Sequence, residues 1–399
     1  MRLYNTLTRT KEEFSTPDGL VRLYVCGITP YDTTHLGHAR TYVVFDVLNR
    51  ILRYHGYRLK YIQNITDIDE SILGRARQLG RDYLELGEEC CRVFFEDMAA
   101  LRVLPADHYP RPTQEIAMIL EVTRGLLEKG YGYIIPRGVY FRVKAAPDYG
   151  RLSRLSREEM LTIAAGQDDS DLDDPTKEDP LDFALWRRSG PGEPAWESPW
   201  GPGRPGWHIE CTAMSLRYLG PRLDIHGGGA DLIYPHHENE IAQSEAYTGE
   251  RPFSRFWVHV GLVSLNGVKM SKSLGNMVFV RDLRRKFDPD AIRLYLISTH
   301  YRAGLDYREA ELERAAARLG RFRAAARQAP VPANPGWAEE GAFRARFFAA
   351  LDDDLDTPAA LQVLDELAEL GLAGNGRAAE LLVELAAVIG LELRVRAEV

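Results

Sequence analysis

The chain has 399 residues, with 45% hydrophobic and 27% charged residues, 34 Gly and 22 Pro, which excludes whole-chain disorder, a collagen-like repeat and a single small module. Fifty basic against 58 acidic side chains give a formal charge of −8, so no global field draws the protein to nucleic acid or an anionic membrane, and any polyanion must meet a local patch. Four cysteines make a poor disulfide framework for this length, and no 18-residue apolar run follows the N-terminus or occurs elsewhere. The expectation is a cytoplasmic, membrane-free protein in a reducing compartment.

In chain order, VRLYVCGITPYD has the β-branched character of a buried strand that breaks at Gly27 and Pro30. The following segment places Val43, Val44, Val47, Leu48, Ile51 and Leu52 at the three-and-four spacing of a helix packed on a sheet, and RLKYIQNITDID reads as a second strand. Strand, helix and strand so close together form a βαβ unit, which predicts a parallel sheet with ligands at the carboxyl ends of its strands, near Cys26, His35, His38 and Asn64. Residues 75–135 are mainly helical in pattern, AAGQDDSDLDDPTKEDP suits a mobile surface loop, and PGEPAWESPWGPGRPGWHIEC suits a shaped loop. The sheet is expected to resume in RLDIHGGGADLIYP and RFWVHVGLVSLNG, with helices from about residue 287 onward. The resulting division is an α/β Rossmann-type parallel-sheet catalytic domain from 1–75 and 180–286, a mainly helical insertion with a mobile loop at 76–179, and a C-terminal helical bundle at 287–399.

Three constellations carry chemistry. His35-Leu36-Gly37-His38 opens the first helix, where unpaired amides, the positive end of the helix dipole and two imidazoles suit phosphate oxygens; alone, such a pair is more often an ordinary surface or core feature. Lys269-Met270-Ser271-Lys272-Ser273 offers two cations to a departing phosphate, or is a solvated basic loop. His236 and Glu240, four apart on a helix expected from Pro235, share a face; with Cys26 and Cys211 they are metal-ligand types, although no paired-cysteine spacing names a zinc site.

HLGH and KMSKS in this order resemble the two signatures of class I aminoacyl-tRNA synthetases. YVCGITPYDTTHLGH, YIQNITDID, DPLDFALW, GRPGWHIEC, DIHGGGADLIYPHHENEIAQSE and KMSKSLGN further resemble the cysteinyl-tRNA synthetase family over about residues 20–310. The resemblance implies a zinc ion held by Cys26, Cys211, His236 and Glu240 that binds the substrate thiol, catalysis by His35, His38, Lys269 and Lys272 on ATP with Mg²⁺, and Trp207 beside the substrate. It also implies an adenylate site including Thr29, Thr41, Asn64, Thr66, Gly228, Gly229, Asp231 and Val263. For Thr41, Asn64 and Thr66, helix or turn capping is an equal reading. Thiol coordination agrees with the chemistry, because an apolar pocket separates serine from cysteine poorly whereas a thiophilic ion separates them well.

The implied partners are L-cysteine, ATP and tRNA(Cys), in a monomer. A related family, the cysteine:glucosaminyl-inositol ligases of mycothiol synthesis, shares the adenylate chemistry and offers an alternative acceptor, favoured by the short stretch after Ser273 and by GITPYDTTHLGH and FEDMAALRVLP. Glu240 in HHENE, MSKSLGN, STHYR and the missing Glu-Arg-Gly-Gly-Asp-Pro run favour tRNA. Arg314, Arg318 and Arg321, beside Arg323 and Arg327, make either an RNA-facing surface or a solvated helix with Glu311 and Glu313.

Overall fold

The computed structural model describes residues 1–167, 170–270, 274–327 and 337–394. Four strands form an all-parallel sheet: β1 (Leu20–Ile28), β2 (Arg58–Ile65), β3 (Leu223–Gly229) and β4 (Ser254–Val260), in the order β4-β3-β1-β2. The register sets Leu23 beside Ile225 and Tyr61, and Phe256 beside Ile225. Helix α1 (Leu36–Tyr54) crosses from β1 to β2 and buries Val43, Val47, Leu48, Ile51 and Leu52. Because the chain proceeds outward from β1 to β2 on one side and from β3 to β4 on the other, the order reverses between β1 and β3, which opens a crevice at their carboxyl ends.

A second, antiparallel sheet pairs Gly132–Ile135, Gly138–Phe141, Phe183–Arg188 and Gly203–Pro205 in sequence order. Residues 183–205 thus join strands from the expected insertion rather than the parallel sheet. The glycines of the GPGRPGW segment explain its composition: a Cβ on Gly206 would lie 1.9 Å from the Ala184 carbonyl oxygen, so only glycine admits the strand contact that launches helix α2 (Trp207–Leu219). The acidic stretch before it is stitched down, with Asp171 paired to Arg137 and Arg187 and Asp179 to Arg157; Asp168 and Asp169 lie outside the described residues. Helix α3 (Glu238–Thr248) follows a wide turn at Ile233–His237.

From Pro289 the described chain is mainly helical, with helices at Pro289–Leu296, Glu309–Ala326, Glu340–Asp352, Thr357–Leu372 and Gly376–Val388. Their buried faces, including Leu312, Phe322, Phe347, Leu364 and Leu382, are continuous with the core beneath α1. Among the described residues no helix is long and apolar enough to cross a membrane.

One buried ion pair fastens these helices to the sheet layer. Arg293 is fully buried, pairs with Asp46 of α1, and donates to the carbonyls of Leu101 and Ile389, each at 2.9 Å. Asp46 also accepts from Arg50 and the Leu104 amide. Arg293→Met strands two carbonyls and breaks the buried half of the Asp46 pairing, leaving Asp46 with Arg50 and the Leu104 amide, so the expected loss is about 3–5 kcal/mol in urea denaturation; a loss under about 1 kcal/mol would show that Arg50 compensates Asp46.

Candidate active site and metal centre

The carboxyl ends of β1, β2, β3 and β4 line a cavity of about 350 Å³, closed on its other walls by the start of α1 and of α2. Cys26 ends the inward run of β1. Gly27 beside it packs so closely on β2 that a Cβ would fall 1.5 Å from the Asn64 carbonyl oxygen, and the Asn64 side chain accepts from the Gly27 amide at 2.8 Å while donating to Thr66. Asn64 therefore fixes the β1–β2 edge as well as lining the cavity.

His35 caps α1. Its Nδ1 accepts from the amides of Gly37 and His38, the Leu36 amide donates to the Val278 carbonyl, and the Ala39 amide to the His35 carbonyl. All four first-turn amides are thus occupied, contrary to the expectation of free donors for phosphate: the side chain expected to share the anion with them satisfies two of them instead. An imidazole that accepts at Nδ1 carries its proton on Nε2 when neutral, which leaves the ring itself as the donor. His38 stacks on it with centroids 3.6 Å apart, and both rings line the cavity.

At the cavity floor, one ligand atom each from Cys26, Cys211, His236 and Glu240 lies within 4.8 Å of the others, and all four residues are buried. The two sulfurs are 4.0 Å apart, and His236 Nε2 stands 3.0 Å from Glu240. Two thiols, an imidazole and a carboxylate match the soft-to-borderline donor set that zinc accepts. His236 is oriented from behind: its Nδ1 meets His208 Nδ1 at 2.9 Å and its ring stacks on Trp207 at 4.3 Å. Cys26, His226, His237 and Glu240 make a second set of convergent donors. Only the first set brings three members, Cys26, Cys211 and His236, to the cavity wall, where a substrate can reach them.

Burial would push the Glu240 carboxyl up, but His226 and His236 outweigh it and hold the group at about 2. Burial likewise opposes a charged His236, yet Glu240 and Cys211 raise it. Burial lifts the Cys26 thiol well above its usual range, whereas at Cys211 contact with Cys26 and His236 overcomes burial and favours the thiolate.

Thr29, Thr41, Thr66, Trp207, Gly229, Asp231 and Val263 line the same cavity. Thr41 also bonds back to the Gly37 carbonyl at 3.2 Å. Gly228 is not in the cavity wall; it packs beneath it, with Leu232, His237 and Cys26 around its missing Cβ. The strand Val268–Lys269 pairs with Val263–Leu265 and brings the backbone of Lys269 toward the cavity rim; its side chain and residues 271–273, Lys272 among them, lie outside the described residues. On the arginine face, read from the sequence as either an RNA-facing surface or a solvated helix, carboxylates engage the guanidiniums. Arg318 and Arg321 both bind Asp365 of the neighbouring helix, Arg323 binds Asp288 and Asp290, and Arg314 binds Glu311, so its charge is met by carboxylates, three of them on other elements.

A chain of imidazoles behind the floor escapes the sequence reading. His237 Nε2 meets Cys26 Sγ at 3.2 Å, its Nδ1 meets His259 at 2.8 Å, and His259 meets Thr6 at 2.8 Å; His226 bonds Glu240 at 2.9 Å. The only sequence signal is the doubled histidine of PHHENE, since His237 is as compatible with Glu240 by helical spacing as His236. Burial, His226 and Arg9 hold His259 at about 3, and burial first of all keeps His208 and His237 well below 6.5. These groups bind protons less readily folded than unfolded, so their contribution is intact above pH 6.5 and is lost as pH falls toward about 3. The melting temperature is expected to drop through that window, and His259→Gln to remove one proton from the slope, ~1.4 kcal/mol per pH unit; an unchanged slope would show that His259 is charged in the fold.

Comparison with known proteins accords with this geometry. Residues 13–317 match the family described as tRNA synthetases class I (C) catalytic domain. A cysteine–tRNA ligase of Dehalococcoides mccartyi is 47% identical over 403 aligned positions, covering 98% of this chain and 87% of that ligase. One from Thermococcus onnurineus is 49% identical, covering 92% and 79%. The solved methionyl-tRNA synthetase of Mycobacterium tuberculosis, in complex with methionyl-adenylate, superposes with a TM-score of 0.63 at 17% identity, over 93% of this chain and 89% of that one, and so shares the fold. A family match across three quarters of the sequence, with relatives near one half identical along almost all of it, means that this chain belongs to the class I (C) tRNA synthetases.

Proposed function

We propose that the protein is a cysteine–tRNA ligase: it activates L-cysteine on ATP to cysteinyl-adenylate and passes the cysteinyl group to the terminal ribose of tRNA(Cys). The observation that carries this reading is the convergence of Cys26, Cys211, His236 and Glu240 on the floor of a cavity walled by the HLGH helix. Cysteine–tRNA ligases related along nearly the whole chain support tRNA as acceptor, and they outweigh the short stretch after Ser273 and the GITPYDTTHLGH and FEDMAALRVLP segments that suit a sugar amine.

Cys26, Cys211, His236 and Glu240 would hold zinc, which when bound offers the substrate sulfur a coordination bond that the neutral hydroxyl of serine matches poorly. The remaining work falls to the chain. Trp207 closes the wall beside the floor, and the substrate carboxylate is directed toward the α-phosphate of Mg-bound ATP at His35 and His38. A carboxylate oxygen attacks the α-phosphorus, pyrophosphate departs, and Lys269 and Lys272 offset its charge. Attack by the ribose hydroxyl on the adenylate carbonyl then releases AMP. Thr29, Thr41, Thr66, Gly229, Asp231 and Val263 hold the nucleotide, with Gly228 supporting them from below. In this reading residues 1–75 and 180–286 carry the chemistry, 76–179 cover it together with the strands of 183–205 that pair onto them, and 287–399 extend toward the tRNA; the protein acts in the cytoplasm as a monomer.

Two experiments bear on this. Purified protein with ATP and labelled cysteine is expected to label tRNA and leave glucosaminyl-inositol unlabelled; the opposite result overturns the acceptor. Cys211→Ser is expected to lose both bound zinc, read by elemental analysis, and the preference for cysteine over serine, on the order of 100-fold or more. Unchanged zinc content would remove Cys211 from the ligand set.

A further inference from the structure

Glu210 stands out among the buried acids. It is 0% exposed, and neither carboxylate oxygen has a hydrogen-bond partner. A buried carboxylate without donors is costly to keep, so an orphaned pair of oxygens in a native fold calls for a missing donor. Its neighbours do not supply one. The nearby Asp67 is satisfied by the amide and hydroxyl of Thr113, and Asp69 accepts from the Ile72 amide. Arg204 is the one arginine or lysine lining the cavity among the described residues, and it donates to Glu70 at 2.8 Å. This wall therefore gathers acidic groups around a single guanidinium that is already engaged.

Helical spacing aims the orphan at the substrate. Trp207, Glu210 and Cys211 stand at i, i+3 and i+4 on α2, share one face and all line the cavity. Cys211 contributes to the ligand cluster and Trp207 stacks on His236, so Glu210 lies on the same face as the sulfur-binding floor. An α-amino acid whose sulfur sits on that floor and whose carboxylate turns toward His35 and His38 has one polar group left, an ammonium with three donors and a full positive charge.

We propose that the carboxylate of Glu210 is the seat of the substrate's α-ammonium group, an assignment that rests on the reading of cysteine as substrate and adds a residue that selects α-amino thiols over thiols lacking the amine. The ammonium would donate to the two orphaned oxygens and supply a cation beside the single guanidinium that Glu70 already engages.

The test compares binding of L-cysteine with binding of 3-mercaptopropionate, which keeps the thiol and carboxylate and omits the ammonium. Calorimetric titration of the zinc-loaded full chain is expected to show cysteine preferred by about 100-fold in the wild type, falling to within about threefold in Glu210→Gln at unchanged zinc content. A glutamine that lowers affinity for both thiols equally overturns the assignment, because a structural role does not distinguish them. Should Glu210→Gln not fold, Glu210→Asp keeps the charge with a shorter reach and is expected to give an intermediate preference; a wild-type preference of less than about threefold overturns the assignment with no variant needed. Absence of cysteine binding in the wild type overturns the activity reading and this assignment together, whereas cysteine binding with an unaltered preference in the variant overturns this assignment alone.

Discussion

The structure depends on holding charge-bearing donors together out of water. Cys26 comes from the end of a strand, Cys211 from a helix far along the chain, and His236 and Glu240 from the turn and helix after that, and each is buried. Left uncompensated, a buried carboxylate or thiolate would be expelled or protonated. The fold answers with imidazoles: His226 and His236 stabilise the Glu240 carboxylate, while the neutral His208 behind His236 and the neutral His237 and His259 behind Cys26 contribute hydrogen bonds rather than charge. Histidine suits this role because each ring can present one nitrogen to the site and anchor the other to a second group, so that tautomer and orientation are fixed together.

The same need for closely held donors explains where the cavity lies. Reversal of strand order between β1 and β3 splays the connections apart at their carboxyl ends. Gly27 lets β1 close on β2 there, and Asn64 locks the junction. Sheet topology makes the space, while close backbone packing at its rim keeps the donors from spreading.

How much of this is legible in sequence varies with the range of the interaction. The parallel sheet can be read because β1 and α1 have long, regular apolar patterns that burial enforces. The antiparallel sheet of residues 132–205 cannot, since its strands are three to six residues long and one of them is the Gly-Arg-Pro of the GPGRPGW segment. The four convergent donors are legible through family resemblance and the His236–Glu240 spacing; the supporting imidazoles are not, because their partners lie across strands and helices with no shared period. The arginine face shows the same limit. Periodicity places Arg318 and Arg321 on one side of a helix, but their partner, Asp365, belongs to another helix. The occupied amides at the start of α1 are missed for a more local reason: reading His35 only as a ligand for anions neglects that the position before a helix also favours any side chain able to accept from its first turn.

The cavity wall is tied to the C-terminal helices by side chains that make no use of charge pairing at one end and strong use of it at the other. Arg40, fully buried on α1, donates to the carbonyls of Gly261 at 3.0 Å and His300 at 3.2 Å, holding the segment that leads into Val263 and the Lys269 strand. Tyr301 and Arg302, next in sequence to His300, both donate to the buried Asp354, which sits at a left-handed φ of 65° between two helices of the bundle and also accepts from the Tyr4 amide. A non-glycine residue in that conformation persists only where its surroundings impose it, and three donors on one carboxylate do so. The helix that begins with HLGH, the edge of the cavity and the turn between the bundle helices are thereby parts of one hydrogen-bonded frame, so displacement of the bundle would be felt at Gly261 through two successive sets of directional contacts rather than through general packing.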